Sequence, residues 1–255
     1  MFRNRAFVLV RLSLMPCFVA SAIPAGPTST PANWARTAEH LVRQTERLDV
    51  GSFTLFMDDQ RVGREQFSVQ RVVAADGAIL ELRAESAIGD RRTAVRLETD
   101  SAGAPVRYNF EERTGATVTL RLGGQRVRGR FTTLARSTTG EAAREYLLVA
   151  GAMVLEEQGV LQYALLIRHR LLAVGDTLNV PVLTPIANRQ GSVQLSLLST
   201  SDTVAIAGSR RAAQRWSVVT QNGEVRYVWA DAEGRLLRVQ IPSRGFNAVR
   251  DDVPR

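Results

Sequence analysis

The sequence predicts a mainly β fold: a strongly curved antiparallel sheet, an unclosed β-barrel, wrapped around one apolar helix. Three observations carry that expectation. Runs of five to ten residues alternate apolar and polar positions along most of the chain, with turn residues between them, which favours a meander over βαβ units. The stretch from Arg215 to Ile241 reads as a three-strand meander. One interval, between Tyr146 and Leu172, abandons the period of two and spaces its apolar residues as a helix does.

The front of the chain is expected to be an address label. Arg3, Arg5 and Arg11 accompany an apolar stretch from Leu12 to Ile23, and Ala20-Ser21-Ala22 fits a small-x-small cleavage site, so residues 1–22 read as a signal peptide. The apolar stretch is too short, and too interrupted by Pro16, to span a membrane. The expected location is therefore the periplasm or outer cell envelope. All 33 basic side chains are arginine, and removing residues 1–22 lowers the formal charge from +8 to +5. Cys17 is the only cysteine and follows Pro16, which argues against lipidation. Its removal leaves no disulfide, thiolate metal site or cysteine nucleophile. Residues 23–33, with Pro24, Pro27 and Pro31, read as a flexible linker. Residues 34–48 place Trp34, Ala38, Leu41, Val42 and Leu48 on an approximate helical stripe, a short amphipathic helix before the sheet.

Residues 50–250 read as a single domain of 255-residue-chain proportions, long enough to bury a core without disulfides. Phe53, Leu55 and Met57 alternate before Asp58-Asp59, and Phe67 and Val69 share one face of the next run. Leu80, Leu82 and Ala84 alternate with Glu81, Arg83 and Glu85, and Val95 and Leu97 with Arg96 and Glu98. Val106, Tyr108 and Phe110 follow, then Val118, Leu120 and Leu122, with Gly123-Gly124 expected to turn the chain into a strand over 127–131. Val160, Leu161, Ala164, Leu165 and Leu172 predict a helix of about three turns over 158–172. Strands resume around Pro181, which suggests an edge. In the closing meander, Asn222-Gly223 predicts a tight primed turn and Asp231 to Gly234 a second turn. Val225, Tyr227 and Trp229 are expected on one dry face, as are Leu237, Val239 and Ile241. About a dozen strands are too many for one flat sheet; it curls, and the helix fills the concavity.

Two stretches, Gly51-Ser-Phe-Thr-Leu-Phe-Met-Asp58 with Val62-Gly63-Arg64-Glu65, and Trp229-Ala-Asp-Ala-Glu-Gly234-Arg-Leu-Leu-Arg-Val239, resemble a group of exported bacterial proteins of unknown function. Those proteins are expected to share the unclosed barrel of the lipoprotein carriers LolA and LolB. The resemblance implies a curved sheet enclosing an apolar cavity partly plugged by helices, and carries over no catalytic residue.

The chemistry-bearing residues are sparse. His40 and His169 have no metal-ligand spacing, and no metal or cofactor is expected. No G-x-S-x-G elbow is present, and Gly63 and Gly123-Gly124 read as turn glycines. The acid pairs Asp58-Asp59, Glu111-Glu112, Glu156-Glu157 and Asp251-Asp252 establish no cleft of facing carboxylates, and adjacent acids on a strand point to opposite faces. Arg126, Arg128 and Arg130 alternate along an expected strand, with Arg121 on the preceding one. They read as a solvated outer face or as an anion-facing patch for lipid headgroups. Tyr108, Phe110, Phe131, Trp216, Tyr227 and Trp229 are placed inward, either as core or lining a cavity with Leu161 and Leu165. The leading function is a non-enzymatic envelope protein that holds a hydrophobic ligand or lipidated partner in the concavity. An interaction module for another envelope protein, its cavity self-filled, is the alternative, and a carboxylate hydrolase the third. Nucleic acid is not an expected partner.

Overall fold

The computed structural model describes residues 44–254 apart from 75–76, 158 and 169. The expected signal peptide, the linker, residues 34–43 of the expected first helix, Cys17, His40 and His169 lie outside the described residues. Residues 44–48, the end of that helix, instead open a strand. The backbone of residues 44–47 pairs with residues 70–73, and a sheet ladder overrides a weak helical stripe.

Among the described residues the elements are β1 (Gln44–Met57), β2 (Gln60–Ala74), β3 (Gly77–Ile88), β4 (Arg91–Thr99), β5 (Pro105–Thr114), β6 (Thr117–Val127), β7 (Arg130–Ser137) and β8 (Gly140–Leu147). After a crossover bearing β9 (Met153–Val154) and the helix α1 (Gln162–Ile167) come β10 (Thr177–Thr184), β11 (Arg189–Ile206), β12 (Ser209–Val219), β13 (Val225–Ala230), β14 (Leu236–Ile241) and β15 (Phe246–Arg250). The strands form one sheet, ordered β8-β7-β6-β5-β4-β3-β2-β1-β15-β14-β13-β12-β11-β10-β9. Neighbours are antiparallel except β9 and β10. From β1 at mid-sheet the chain thus steps out to β8, crosses to the opposite edge, and steps back until β15 pairs with β1. The sheet is open between its edges, but side chains bridge the gap. The Tyr146 hydroxyl donates to Asn188 Oδ1 at 3.1 Å, and Gln190 Nε2 donates to the Leu147 carbonyl at 2.8 Å.

The turns explain two sequence expectations that failed. Gly124 lies within β6, not in a turn: a Cβ there would sit 2.7 Å from the Phe131 ring, so glycine makes room for the aromatic. Gly63 lies within β2 for a like reason, its Cβ position being 2.0 Å from the Ala87 carbonyl oxygen. The hairpin turns at Arg128-Gly129, both with positive φ, so Arg126 lies one residue before the end of one strand, Arg128 sits in the turn and Arg130 starts the next strand. The three arginines therefore do not alternate along one strand. At the β12–β13 hairpin only Gly223 is left-handed (φ 80°), and its N–H donates to the Thr220 carbonyl at 2.9 Å. That is a longer loop closed by a left-handed glycine, not a two-residue primed turn. Gly234 closes the β13–β14 loop in the same way.

One face of the sheet carries the main core. Phe53, Phe67, Leu82, Leu97, Tyr108, Phe110, Leu122 and Phe131 join Trp216, Val228 and Val239 in a single cluster with the crossover. The helix is six residues long, shorter than expected, and all six are buried. It stops because Arg168 is extended (ψ 131°), and Leu171 beyond it is 99% exposed rather than on a helical stripe. Burial all round left no polar stripe from which to read its ends.

A second small cluster lies elsewhere: Val204, Ile206, Ala213, Trp229 and Leu237, with Tyr227 packed against them. This corrects the placing of Tyr227 and Trp229 in the concavity. In β13 it is Arg226, Val228 and Ala230 that are buried on the main-core parity. A register shift lets Ala230 pair with Leu236 and Trp229 with Arg238, so Leu236 and Val239 join the main core while Leu237 joins the second cluster.

Candidate functional site

The concavity is filled by the protein's own side chains. Tyr108 and Phe131 are fully buried, and Phe110, Leu161, Leu165 and Trp216 nearly so. One accessible groove, of about 560 Å³, lies where β1, β2, β3 and the β4–β5 loop meet the crossover. Its apolar wall is Leu48, Leu80, Met153 and Leu165, of which Leu165 alone was singled out from sequence. Gly103 lies beside Met153: its φ is +87°, and a Cβ there would come within 2.7 Å of Met153 Cε.

Arginines stand over this wall. Arg71, Arg168 and Arg170 line the groove with Glu46 and Asp100 as the acids. Arg71 lies 3.9 Å from Glu46, a loose and exposed pair. Asp100 is committed elsewhere, accepting from Arg126 Nη1 at 2.7 Å and from the Ala102 and Ala104 N–H groups. Arg170 Nε donates to the Leu166 carbonyl at 3.2 Å, and its Nη2 lies 3.4 Å from Met153 Sδ. Burial lowers the Arg168 guanidinium from its ordinary value, opposed by the charges of Asp49 and Glu46. The groove therefore joins an apolar wall to a partly desolvated cationic rim.

Of the four arginines expected to face anions, Arg126 stands beside this groove through Asp100. Arg121 pairs with Glu111 at 2.8 Å and Arg130 with Glu145 at 2.9 Å, on a solvated face. Arg128 occupies its turn. Tyr227 and Trp229 belong to the second cluster, where Trp229 Nε1 donates to Asp202 at 3.0 Å and the Arg238 guanidinium lies 4.9 Å from its ring centre.

Sequence reasoning missed the polar residues built into the interior. Glu65 accepts the Leu161 N–H at 3.0 Å and the Val160 N–H at 3.3 Å, satisfying donors at the start of α1. Burial pushes its carboxyl up to about 7, against the pull of those two N–H groups. Glu156 accepts the Ile186 N–H at 2.8 Å, and burial pushes it up to about 8. Its neighbour Glu157 faces outward to Arg189 and Arg244. Arg226, 3% exposed, donates to the Tyr163 hydroxyl at 2.7 Å and pairs with Glu224, fixing α1 from the opposite wall. A signal existed for Glu65: it shares parity with Phe67 and Val69, so it had to point inward.

No protein-family model matches the chain, and no curated protein matches it. Among solved structures it is similar to a β-barrel-like protein of a domain of unknown function, DUF1849, from Brucella abortus. The two share 10% identity over 80% of this chain and 95% of that chain, with a TM-score of 0.46. None of this touches the resemblance to LolA and LolB.

Proposed function

We propose that this is a non-enzymatic cell-envelope protein that binds an amphipathic anionic ligand, an acyl chain with its headgroup, in the groove between β1–β3, the β4–β5 loop and the crossover. One observation carries the reading: an apolar wall of Leu48, Leu80, Met153 and Leu165 meets Arg71, Arg168 and Arg170 in a space of about 560 Å³. Each methylene taken from water contributes ~0.8 kcal/mol, so eight contribute ~6 kcal/mol before the cost of association. The arginines then select for an anionic head, which a free amphiphile or a lipidated partner would each supply.

The test has two parts. Mass spectrometry on an organic extract of protein purified without detergent should find a stoichiometric amphiphile, and delipidated protein should take up myristate in a calorimetric titration. Leu80→Glu and Arg170→Gln should each weaken uptake by about tenfold or more, roughly 1.4 kcal/mol. No uptake by the parent protein, or uptake by both variants as strong as the parent's, sinks the reading.

A second reading, a module that docks another envelope protein, is favoured by β8. This edge strand is exposed at every position but Tyr146, and Leu147 (59%) and Val149 (43%) are exposed apolar residues at its end. It requires that the groove take up no amphiphile, so the same titration separates the two.

A further inference from the structure

We infer that an enclosed polar cavity between β2, β5 and the crossover is a binding site for one water molecule, held by Glu65, Tyr108, Glu156 and Gln162. The cavity is about 10 Å³, close to the roughly 10–15 Å³ that one water needs by the same measure. Its four principal polar residues are all buried, none more than 3% exposed. Two of them bring groups that make no well-formed hydrogen bond to the protein, the Tyr108 hydroxyl, which faces Glu156 and Gln162, and Gln162 Nε2. The Gln162 carbonyl oxygen is already used, accepting the Glu156 N–H at 2.5 Å, so the amide cannot flip without losing that bond. On the acceptor side, each Glu65 oxygen takes one backbone N–H and keeps a second lone pair. Glu156 Oε1 takes the Ile186 N–H, and Oε2 remains for the cavity.

The balance of donors and acceptors selects the ligand. A water accepts from the phenol and the amide and donates to one oxygen of each carboxyl, acceptor capacity that a carboxyl keeps in either protonation state, completing four hydrogen bonds. Leaving the hydroxyl and the amide unsatisfied would cost about 1–3 kcal/mol each. A metal cation wants six or more oxygens at 2.3–2.6 Å, and here one group facing it would be an amide N–H₂. An anion would meet two carboxyls, and an organic ligand does not fit the volume. Ser86 and Thr93, which also line the cavity, satisfy each other at 2.7 Å. The water thus adds a link between the sheet and the crossover beside the bonds that the Val160 and Leu161 N–H groups donate to Glu65.

A crystal structure at 1.5 Å or better should resolve one peak within about 3.2 Å of Tyr108 Oη and Gln162 Nε2 and of a carboxyl oxygen of Glu65 or Glu156. Closure of Tyr108 directly onto Glu156 with no peak overturns the inference, as does a peak about 2.4 Å from several oxygens, which would be a cation. In solution, oxygen-17 relaxation dispersion counts long-lived internal waters. Tyr108→Phe should lower that count by one, with Gln162→Met read in the same way if the first variant does not fold. An unchanged count in a folded variant overturns the site.

Discussion

A carboxyl held near neutrality inside a sheet makes stability depend on pH in an uncommon direction. Glu65 and Glu156 titrate at about 7 and about 8 in the folded protein against about 4.5 when unfolded. Between those limits the folded state holds more protons than the unfolded one, so stability falls as pH rises from about 4.5 toward 8. The acids whose carboxyls are lowered by arginines, among them Glu81 and Glu224, act in a separate window: their contribution is present above about 4.5 and is lost only below it. The contribution of Glu65 to the stability change across that window is on the order of 3 kcal/mol. Thermal unfolding at pH 5 and pH 8 should show higher stability at pH 5, and Glu65→Gln should reduce the difference while keeping an acceptor for one N–H. Equal slopes in variant and parent would refute the assignment to Glu65. Legibility at this scale was uneven. The parity that placed Phe67 inward also placed Glu65 inward, yet a charged side chain is read by default as solvated, and its partner N–H groups at residues 160 and 161 are remote in sequence. The aromatics Tyr108, Phe110, Phe131 and Trp216 were legible because bulk and parity agreed. Tyr227 and Trp229 were not, because bulk outvoted parity: Arg226 marks the main-core face of β13, and a buried arginine looks like a surface residue until its partners Tyr163 and Glu224 are seen.

At the scale of elements, hairpins were legible and their turns less so. Alternation located most strands, since each pairs with its chain neighbour and carries its own pattern. Glycine misled where it serves packing instead of turning. Gly123 and Gly124 look alike in sequence, but a Cβ on Gly123 would first meet Asn109 at 3.9 Å, whereas one on Gly124 would press into the Phe131 ring at 2.7 Å. Gly124→Ala should therefore cost about 1–3 kcal/mol through overpacking. Gly123→Ala, with ordinary contacts and an extended backbone, should stay within ~0.5 kcal/mol or stabilise slightly. Urea unfolding of the two variants makes the comparison; equal costs would show that the strand, and not the aromatic contact, resents a side chain. The helix was legible in place but not in length. A segment buried on every side has no wet stripe, and its start is satisfied by Glu65 instead of a local capping residue, so neither end leaves a mark in the neighbouring sequence.

At the scale of the molecule, the curved meander followed from strand number, but the closing contact between the first and last strands did not. β1 and β15 are joined by no turn and share no local pattern; their register sets Phe53 opposite Arg250. The contact is fixed by buried chemistry. Arg250 is 1% exposed and grips Asp49 with two bonds of 2.9 and 2.7 Å, while also donating to the Val50 and Leu236 carbonyls and lying 5.1 Å from the Phe67 ring centre. These bonds join β15, β1 and β14 with Phe67 of β2, at the centre of the sheet where the two arms of the meander meet. A buried pair of this kind adds little against an apolar replacement, because both ions give up their hydration; removing one partner is costly because the other charge stays buried. Arg250→Met should therefore cost about 3–5 kcal/mol. Adding Asp49→Leu to that variant should recover much of the loss, since the remaining carboxylate partner of Arg250, Asp252 at 3.1 Å, has a side chain 42% exposed and stays hydrated. A single substitution costing under about 1 kcal/mol would mean that Asp49 reaches water in the folded state, and a double variant no better than the single would place the role of Arg250 in its backbone carbonyl bonds. Either result would shift what holds the two arms together from the ion pair to the apolar ladder of Phe53, Leu55 and Ala248, which is the part of this junction that sequence alternation could reach.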